Sequence, residues 1–288
     1  MIKFLIAFIF FTYGLIVGKF QIYPHNQMKD LYHSIKYTIK DSPKNKSFSK
    51  CTLQQLTEIT SGSTIIIGHA YGQINKSTNF NYLAPKVENF LNKYRQNIDR
   101  VIFTGDVFYE PSLKKWNNLY QQFSSDMQVY VAPGNHDVGT LSSSEIFQLS
   151  KFGFKNSISV NDKPYLILEN SESSSGLLHS STVDLIKNTK QPIVHLFRHH
   201  VPIAELLNVA NSKYKNSDNF PTADEFIEKL SLKNKIVVIS GDSGGNPSRP
   251  RITCNNYKNA TFITNGIGES EDDAILVLIN GRISYFKI

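Results

Sequence analysis

Residues 128–137 read QVYVAPGNHD. A β-branched, aromatic run closes on Pro-Gly, and three side chains bearing an amide, an imidazole and a carboxylate follow at once. The run suits a buried strand. Donor atoms just past its end lie where open α/β sheets place their ligands. The same design recurs four times along the chain. STIIIG (63–68) leads into His69-Ala70-Tyr71-Gly72, and RVIFTG (100–105) into Asp106-Val107-Phe108-Tyr109. PIVHLF (192–197) leads into Arg198-His199-His200-Val201-Pro202, and KIVVISG (235–241) into Asp242-Ser243-Gly244-Gly245. One Asp or Asn after a strand is ordinarily a turn residue or a helix cap. Five successive strand ends, each delivering an oxygen or imidazole group, predict a shared site.

Between these runs lie helical patterns. Pro85 opens one, with Val87, Phe90, Leu91 and Tyr94 at helical spacing. SLKKWNNLYQQF (112–123) is a second, and Thr222 with Glu225 forms a capping box ahead of Phe226, Ile227 and Leu230. Toward the end, ATFITNGIG, AILVLING and RISYFKI read as antiparallel strands, with Asn280-Gly281 a type I′ hairpin signal. The pattern predicts an α/β sandwich with antiparallel additions.

The chain has 288 residues, 40 % apolar and 12 % aromatic, enough for a sizeable core. Ile2–Val17 is almost wholly apolar and is expected to be an uncleaved signal-anchor or transmembrane helix over residues 1–19, since no small-residue cleavage site follows it. The formal charge of +7 is concentrated behind it. Residues 19–50 hold seven Lys against Asp30 and Asp41, which predicts a basic juxtamembrane stalk over 20–50 that faces lipid headgroups. The remaining domain, 51–288, is near neutral, so no nucleic-acid partner is expected. Lys3 and the free amine argue for export and the stalk lysines against it; the expectation is a single-pass membrane protein with its domain extracytoplasmic, or periplasmic. Cys51 and Cys254 pair in an exported chain and stay free thiols in a cytosolic one; with no CxxC, a metal–thiolate site is improbable.

The GNHD at 134–137, with a strand-end GD at 105–106 and a strand-end HH at 199–200, resembles the calcineurin-like metallophosphoesterase superfamily. That family's pattern runs D-x-H, G-D, G-N-H-[DE], H and G-H-x-H, each at a strand end, and the resemblance covers roughly residues 63–288. It implies an αββα sandwich of mixed sheets. It also implies one or two divalent metal ions (Mn, Fe or Zn) that activate a hydroxide toward a phosphomono- or phosphodiester. Carried over residue by residue, Asp106 is the bridging carboxylate and is counted with the catalytic groups, Asn135 and His199 bind the second metal, and His136 hydrogen-bonds the phosphate or protonates the leaving alkoxide. His200 competes with His199 for that place and is otherwise a substrate contact, as is Arg198.

Two motifs depart from the pattern. His69-Ala70-Tyr71-Gly72 stands where the family has D-x-H-G, and Gly241-Asp242-Ser243-Gly244 where it has G-H-x-H. If His69 and Asp242 both ligate, one carboxylate is lost and one gained. Tyr71 and Gly244 replace family histidines, and most of that loss falls on the first metal. Asp106-x-x-Tyr109 resembles the D-x-x-Y of purple acid phosphatases, which makes Tyr109 a candidate first-metal ligand; a packed aromatic is the plainer reading.

ISGDSGGN (239–246) also reads like a serine-protease nucleophile loop. Such an enzyme needs a histidine base, an aspartate and a mostly antiparallel two-barrel body. This chain offers α/β elements instead, so Asp242, rather than Ser243, is expected to act. SESSSG (171–176) reads as a surface loop, and His179 and His195 as capped or packed residues. The expected function is a membrane-anchored phosphoester hydrolase acting on a phosphorylated small molecule or an envelope glycan or lipid. The alternative is a metal-depleted relative serving as a binding or assembly module at the membrane.

Overall fold

The computed structural model describes residues 48–73, 82–160, 165–207, 219–231, 234–244 and 251–288, all within one unit spanning Lys46–Ile288. The anchor expected over 1–19 and most of the stalk lie outside the described residues. Among the described residues no helix is long and apolar enough to cross a membrane.

In chain order the first elements are β1 (Ser49–Lys50), β2 (Gln54–Gln55), β3 (Ser63–Ile67), α1 (Pro85–Lys93), β4 (Ile98–Phe103), α2 (Leu113–Phe123) and β5 (Gln128–Val131). Next come α3 (Asn135–Val138), α4 (Ser143–Gln148), β6 (Ser157–Val160), β7 (Tyr165–Glu169), α5 (Ser180–Asn188) and β8 (Ile193–Arg198). The chain ends with α6 (Ala223–Leu230), β9 (Lys235–Ser240), β10 (Ile252–Tyr257), β11 (Ala260–Asn265), β12 (Ala274–Ile279) and β13 (Arg282–Lys287). They build a six-stranded sheet, β2-β13-β12-β3-β4-β5, and a seven-stranded sheet, β1-β10-β11-β9-β8-β7-β6. In the first, β3, β4 and β5 are parallel and β12 and β13 antiparallel; in the second, β7, β8, β9 and β11 are parallel, with β6 and β10 antiparallel.

Side chains alternate across each strand, and both faces are apolar. Ile66, Ile102, Leu276 and Leu278 of one sheet meet Leu166, Phe197, Ile239 and Ile263 of the other. The opposite faces bind helices. Ile65, Ile67, Val101 and Phe103 pack on Val87, Phe90, Trp116 and Leu119 of α1 and α2. Ile167, Leu196, Ile236 and Val238 pack on Val183, Ile186, Phe226 and Leu230 of α5 and α6. The layers are helix, sheet, sheet, helix, and each fully buried aliphatic contributes roughly 1.5–3 kcal/mol.

The local signals act where the sequence places them. Ser112 caps α2 by accepting from Lys115 N at 3.2 Å. Thr222 and Glu225 close their capping box on α6, with bonds of 3.3 and 2.7 Å. Asn280 and Gly281 take φ of 50° and 77° between β12 and β13, as a type I′ turn requires. One boundary moves. Ser49–Lys50, assigned to the stalk by composition, are a strand paired with β10, and Cys51 is disulfide-bonded to Cys254 on β10 with Cα atoms 5.1 Å apart.

Candidate metal centre

The five loops predicted from the strand ends do meet. Two of them leave their strands in left-handed backbone: His69 has φ 53° and Asp106 φ 56°. For a side chain with a Cβ this costs about 1–2 kcal/mol, a strain found at functional sites. Asp137, fully buried, holds the Asp106 turn in place. Its carboxylate accepts from the backbone N–H groups of Asp106 (2.7 Å), Val107 (2.8 Å), Phe108 (3.3 Å) and Gly134 (2.9 Å). The last residue of GNHD thus ties the β5 loop to the β4 loop.

Asp106 lies at the middle of the cluster, 3 % exposed. Its Oδ1 accepts from His136 N at 3.2 Å and stands 3.5 Å from His199 Nε2; its Oδ2 stands 3.7 Å from His69 Nε2. His199 Nε2 is also 3.8 Å from Asp242 Oδ1. Close packing allows this approach. Gly105, at φ 92°, lies against the His199 ring, where a Cβ would fall 2.3 Å from Nδ1.

The protonation of His199 follows from its partners. Nδ1 lies 3.0 Å from the carbonyl oxygen of Thr104, which only accepts, so Nδ1 carries the hydrogen. Burial, then the neighbouring His200, lower its pKa to about 4. Nε2 is therefore a bare lone pair at neutral pH, buried, with no hydrogen-bond partner among the described residues, facing carboxylate oxygens of Asp106 and Asp242. Three electron-rich atoms converging in a buried site are repulsive unless a cation lies among them. The donor set, two carboxylates and a neutral imidazole with Asn135 on the adjoining first turn of α3, suits a divalent ion.

His200 is arranged differently. Ring nitrogens of His199 and His200 and a carboxylate oxygen of Asp242 lie within 4.8 Å of one another. Both nitrogens of His200 are nevertheless engaged: Nδ1 bonds Asp242 Oδ2 at 3.0 Å and Nε2 bonds Glu172 Oε1. Burial alone would lower its pKa; the bonds to Asp242 and Glu172 outweigh that and raise it above the ordinary histidine value. An imidazolium donating from both nitrogens has no lone pair for a metal. It is also fully buried, so the expectation that His200 contacts substrate gives way to a role in orienting Asp242.

Arg198 is likewise corrected. It is fully buried and ion-paired with Glu169 at 2.8 Å, and it donates to the carbonyls of Gly176 and Leu177. Glu169 in turn accepts from His179 N and Thr182 Oγ1 on α5. This pair braces β8 and β7 against α5 and leaves no guanidinium for a phosphate.

Around His136 and His69 the rings form a wall. His136 Nδ1 donates to the Tyr109 carbonyl at 3.2 Å, which leaves Nε2 as the nitrogen able to exchange a proton. The Tyr109 ring stacks on His136 at 4.9 Å, and Tyr71 meets both edge-on at 5.7 and 5.5 Å. Tyr71 is 3 % exposed; burial, then the Asp106 charge, raise its phenol pKa so far that it stays neutral. Ser243 is fully buried with no partner for its hydroxyl among the described residues, the opposite of an exposed nucleophile.

Sequence reasoning missed Glu172. SESSSG, expected as a surface loop, is a 3₁₀ turn (Ser171–Ser174) with Ser171 buried; Ser171 Oγ accepts from His200 N at 3.2 Å while Glu172 reaches the His200 ring. Nothing in a serine-rich hexapeptide signals this. His179, expected as a capped residue, is the N-cap of α5, and His195 is packed within β8.

Residues 69–266 match a family model described as calcineurin-like phosphoesterase. No curated protein matches this chain. A solved structure described as a 5'-nucleotidase from Candida albicans SC5314 aligns over 83 % of this chain with 9 % identity and a TM-score of 0.35. The chain covers 52 % of that structure, about half its length.

Proposed function

We propose that this chain, which belongs to the calcineurin-like phosphoesterase family, is a metal-dependent phosphoester hydrolase that cleaves a phosphomono- or phosphodiester of a small molecule or an envelope glycan or lipid. The observation that carries the reading is the buried Nε2 of His199, without a hydrogen-bond partner among the described residues, between the carboxylates of Asp106 and Asp242.

A bound divalent ion supplies Lewis acidity, lowering the pKa of a water and polarising a phosphoryl oxygen. The chain's own residues do the rest. Asp106, Asn135, His199 and Asp242 are the residues that would hold the ion. Glu172 and His200 fix the Asp242 carboxylate, and Thr104 fixes the His199 tautomer. With Nδ1 committed to Tyr109, His136 presents Nε2 to donate a hydrogen bond to the phosphate or a proton to the departing alkoxide. Asp137 holds the Asp106 turn and the start of GNHD in one geometry.

The proposed setting is a single-pass anchor over 1–19 and a basic stalk, with the domain extracytoplasmic. It is supported by the apolar run Ile2–Val17 and by the Cys51–Cys254 disulfide, a bond kept in oxidising compartments. The test pairs hydrolysis of a chromogenic phosphomonoester and diester by the full chain with fractionation and protease accessibility in intact cells. Cation-dependent hydrolysis that falls by about 10²–10³-fold in Asp106→Asn supports the reading. A folded, metal-loaded chain inert to both esters overturns the substrate class, and recovery wholly in the cytosolic fraction overturns the setting.

A further inference from the structure

Asp106 stands between two unequal corners. On its Oδ1 side are the lone pair of His199 at 3.5 Å and, 3.8 Å from that nitrogen, Asp242 Oδ1. Asn135 adjoins the His136 N–H that binds the same Oδ1. On the Oδ2 side stands His69 Nε2 at 3.7 Å. The Tyr71 ring lies 4.3 Å from the His69 ring. Beneath it is Gly244, where a Cβ would fall 2.1 Å from both Cβ and Cγ of His69 and 2.4 Å from Nδ1. Contact with a Cβ cannot be relieved by a rotamer change, so no side chain fits at 244 while His69 keeps its place. Among the described residues, the loop after β9 therefore gives a carboxylate to the Oδ1 corner and, through Gly244, backbone to the Oδ2 corner.

Protein metal sites that hold an ion firmly use about three or four side-chain donors. The Oδ1 corner collects two carboxylates and an imidazole, with Asn135 on the adjoining first turn of α3. Among the described residues, the Oδ2 corner has one oxygen of a shared carboxylate and one imidazole. Resting on the phosphoesterase reading, we propose that this chain retains a single cation, held by Asp106 Oδ1, His199, Asp242 and Asn135, and that His69, seated on Gly244, takes the place where a second ion would be held.

The test uses the full chain loaded with Mn(II) and passed through gel filtration. Metal per chain is measured by plasma mass spectrometry and the spin state by electron paramagnetic resonance. One Mn(II) per chain with the hyperfine spectrum of an isolated ion is expected. Two ions about 3.5–4 Å apart would be exchange-coupled and lose that spectrum. His69→Gln is expected to keep the single ion, whereas Asp242→Asn loses at least nine-tenths of it. Two coupled ions per chain overturn the proposal while leaving the hydrolase reading standing, and so does loss of the ion in His69→Gln with retention in Asp242→Asn. A chain folded by circular dichroism that retains no metal overturns both.

Discussion

His199 Nε2 stands 3.5 Å from Asp106 Oδ1 with no proton to share between them. Both atoms are electron-rich and buried, so the metal-free protein carries an unfavourable contact that a cation removes. Divalent ions are therefore expected to raise the thermal midpoint, by about 2.7 kcal/mol of stability at a free concentration a hundred times Kd. Asp106→Asn is expected to weaken binding by about 100-fold and to lower kcat/KM by about 10²–10³-fold. Titration calorimetry and steady-state kinetics check both; a melting curve indifferent to every divalent ion would count against the site.

Glu172 acts at one remove. It holds His200 from one side so that His200 holds Asp242 from the other. A glutamine at 172 keeps the shape but not the charge that stabilises the imidazolium. Glu172→Gln is expected to reduce cation affinity by about 10–100-fold while the fold, read by circular dichroism, is retained. An affinity equal to that of the parent chain would show that Asp242 needs no such support.

How far the sequence reaches is visible in these two residues. Asp106 follows a β-branched strand and precedes GNHD by a fixed architecture, so its role is written in local pattern. Glu172 is placed by a 3₁₀ turn and by the packing of β7 beside β8, contacts that no local period encodes. The strands, the capped helices and the Asn280-Gly281 turn were legible for the same reason as Asp106: each is set by residues within one or two turns of chain. Arg198 and His200 share a strand end with His199, yet composition cannot tell a side chain facing the cluster from one paired behind it. That distinction rests on Glu169 and Glu172, distant in sequence.

Acid should weaken the metal-free fold. Burial lowers the pKa of His69, His195 and His199 to about 4. A histidine whose folded pKa lies below its unfolded value near 6.5 binds fewer protons when folded, so stability is full above 6.5 and falls as pH drops toward 4. Each group contributes at most roughly 3 kcal/mol over that window. His200 works in the opposite sense: its raised pKa adds stability below 6.5 that is lost as pH rises through its folded value. Asp137, its pKa raised to about 7 by burial and then by the Asp106 charge, also adds stability as pH falls. Three lowered histidines against these two raised groups leave a net loss, expected as a falling urea midpoint between pH 6.5 and 4.5 in chelator-treated protein. A flat profile would mean the three imidazoles are solvated rather than buried.

Gly105 and Gly281 separate backbone strain from packing. Both have positive φ, 92° and 77°, but a Cβ at Gly281 meets nothing within 4 Å, whereas at Gly105 it would lie 2.3 Å from His199 Nδ1 and 2.8 Å from Gly134 N. Gly281→Ala therefore costs the left-handed conformation alone, about 1–2 kcal/mol. Gly105→Ala adds a collision that pushes the His199 ring off the Thr104 carbonyl and frees its tautomer. A further 1–3 kcal/mol of overpacking is expected, together with loss of cation affinity that Gly281→Ala does not show. Chemical denaturation and metal titration of the two variants side by side measure this. Equal stability losses with unaltered metal binding in both would mean that the β4 loop and the His199 ring do not pack as closely as the site requires.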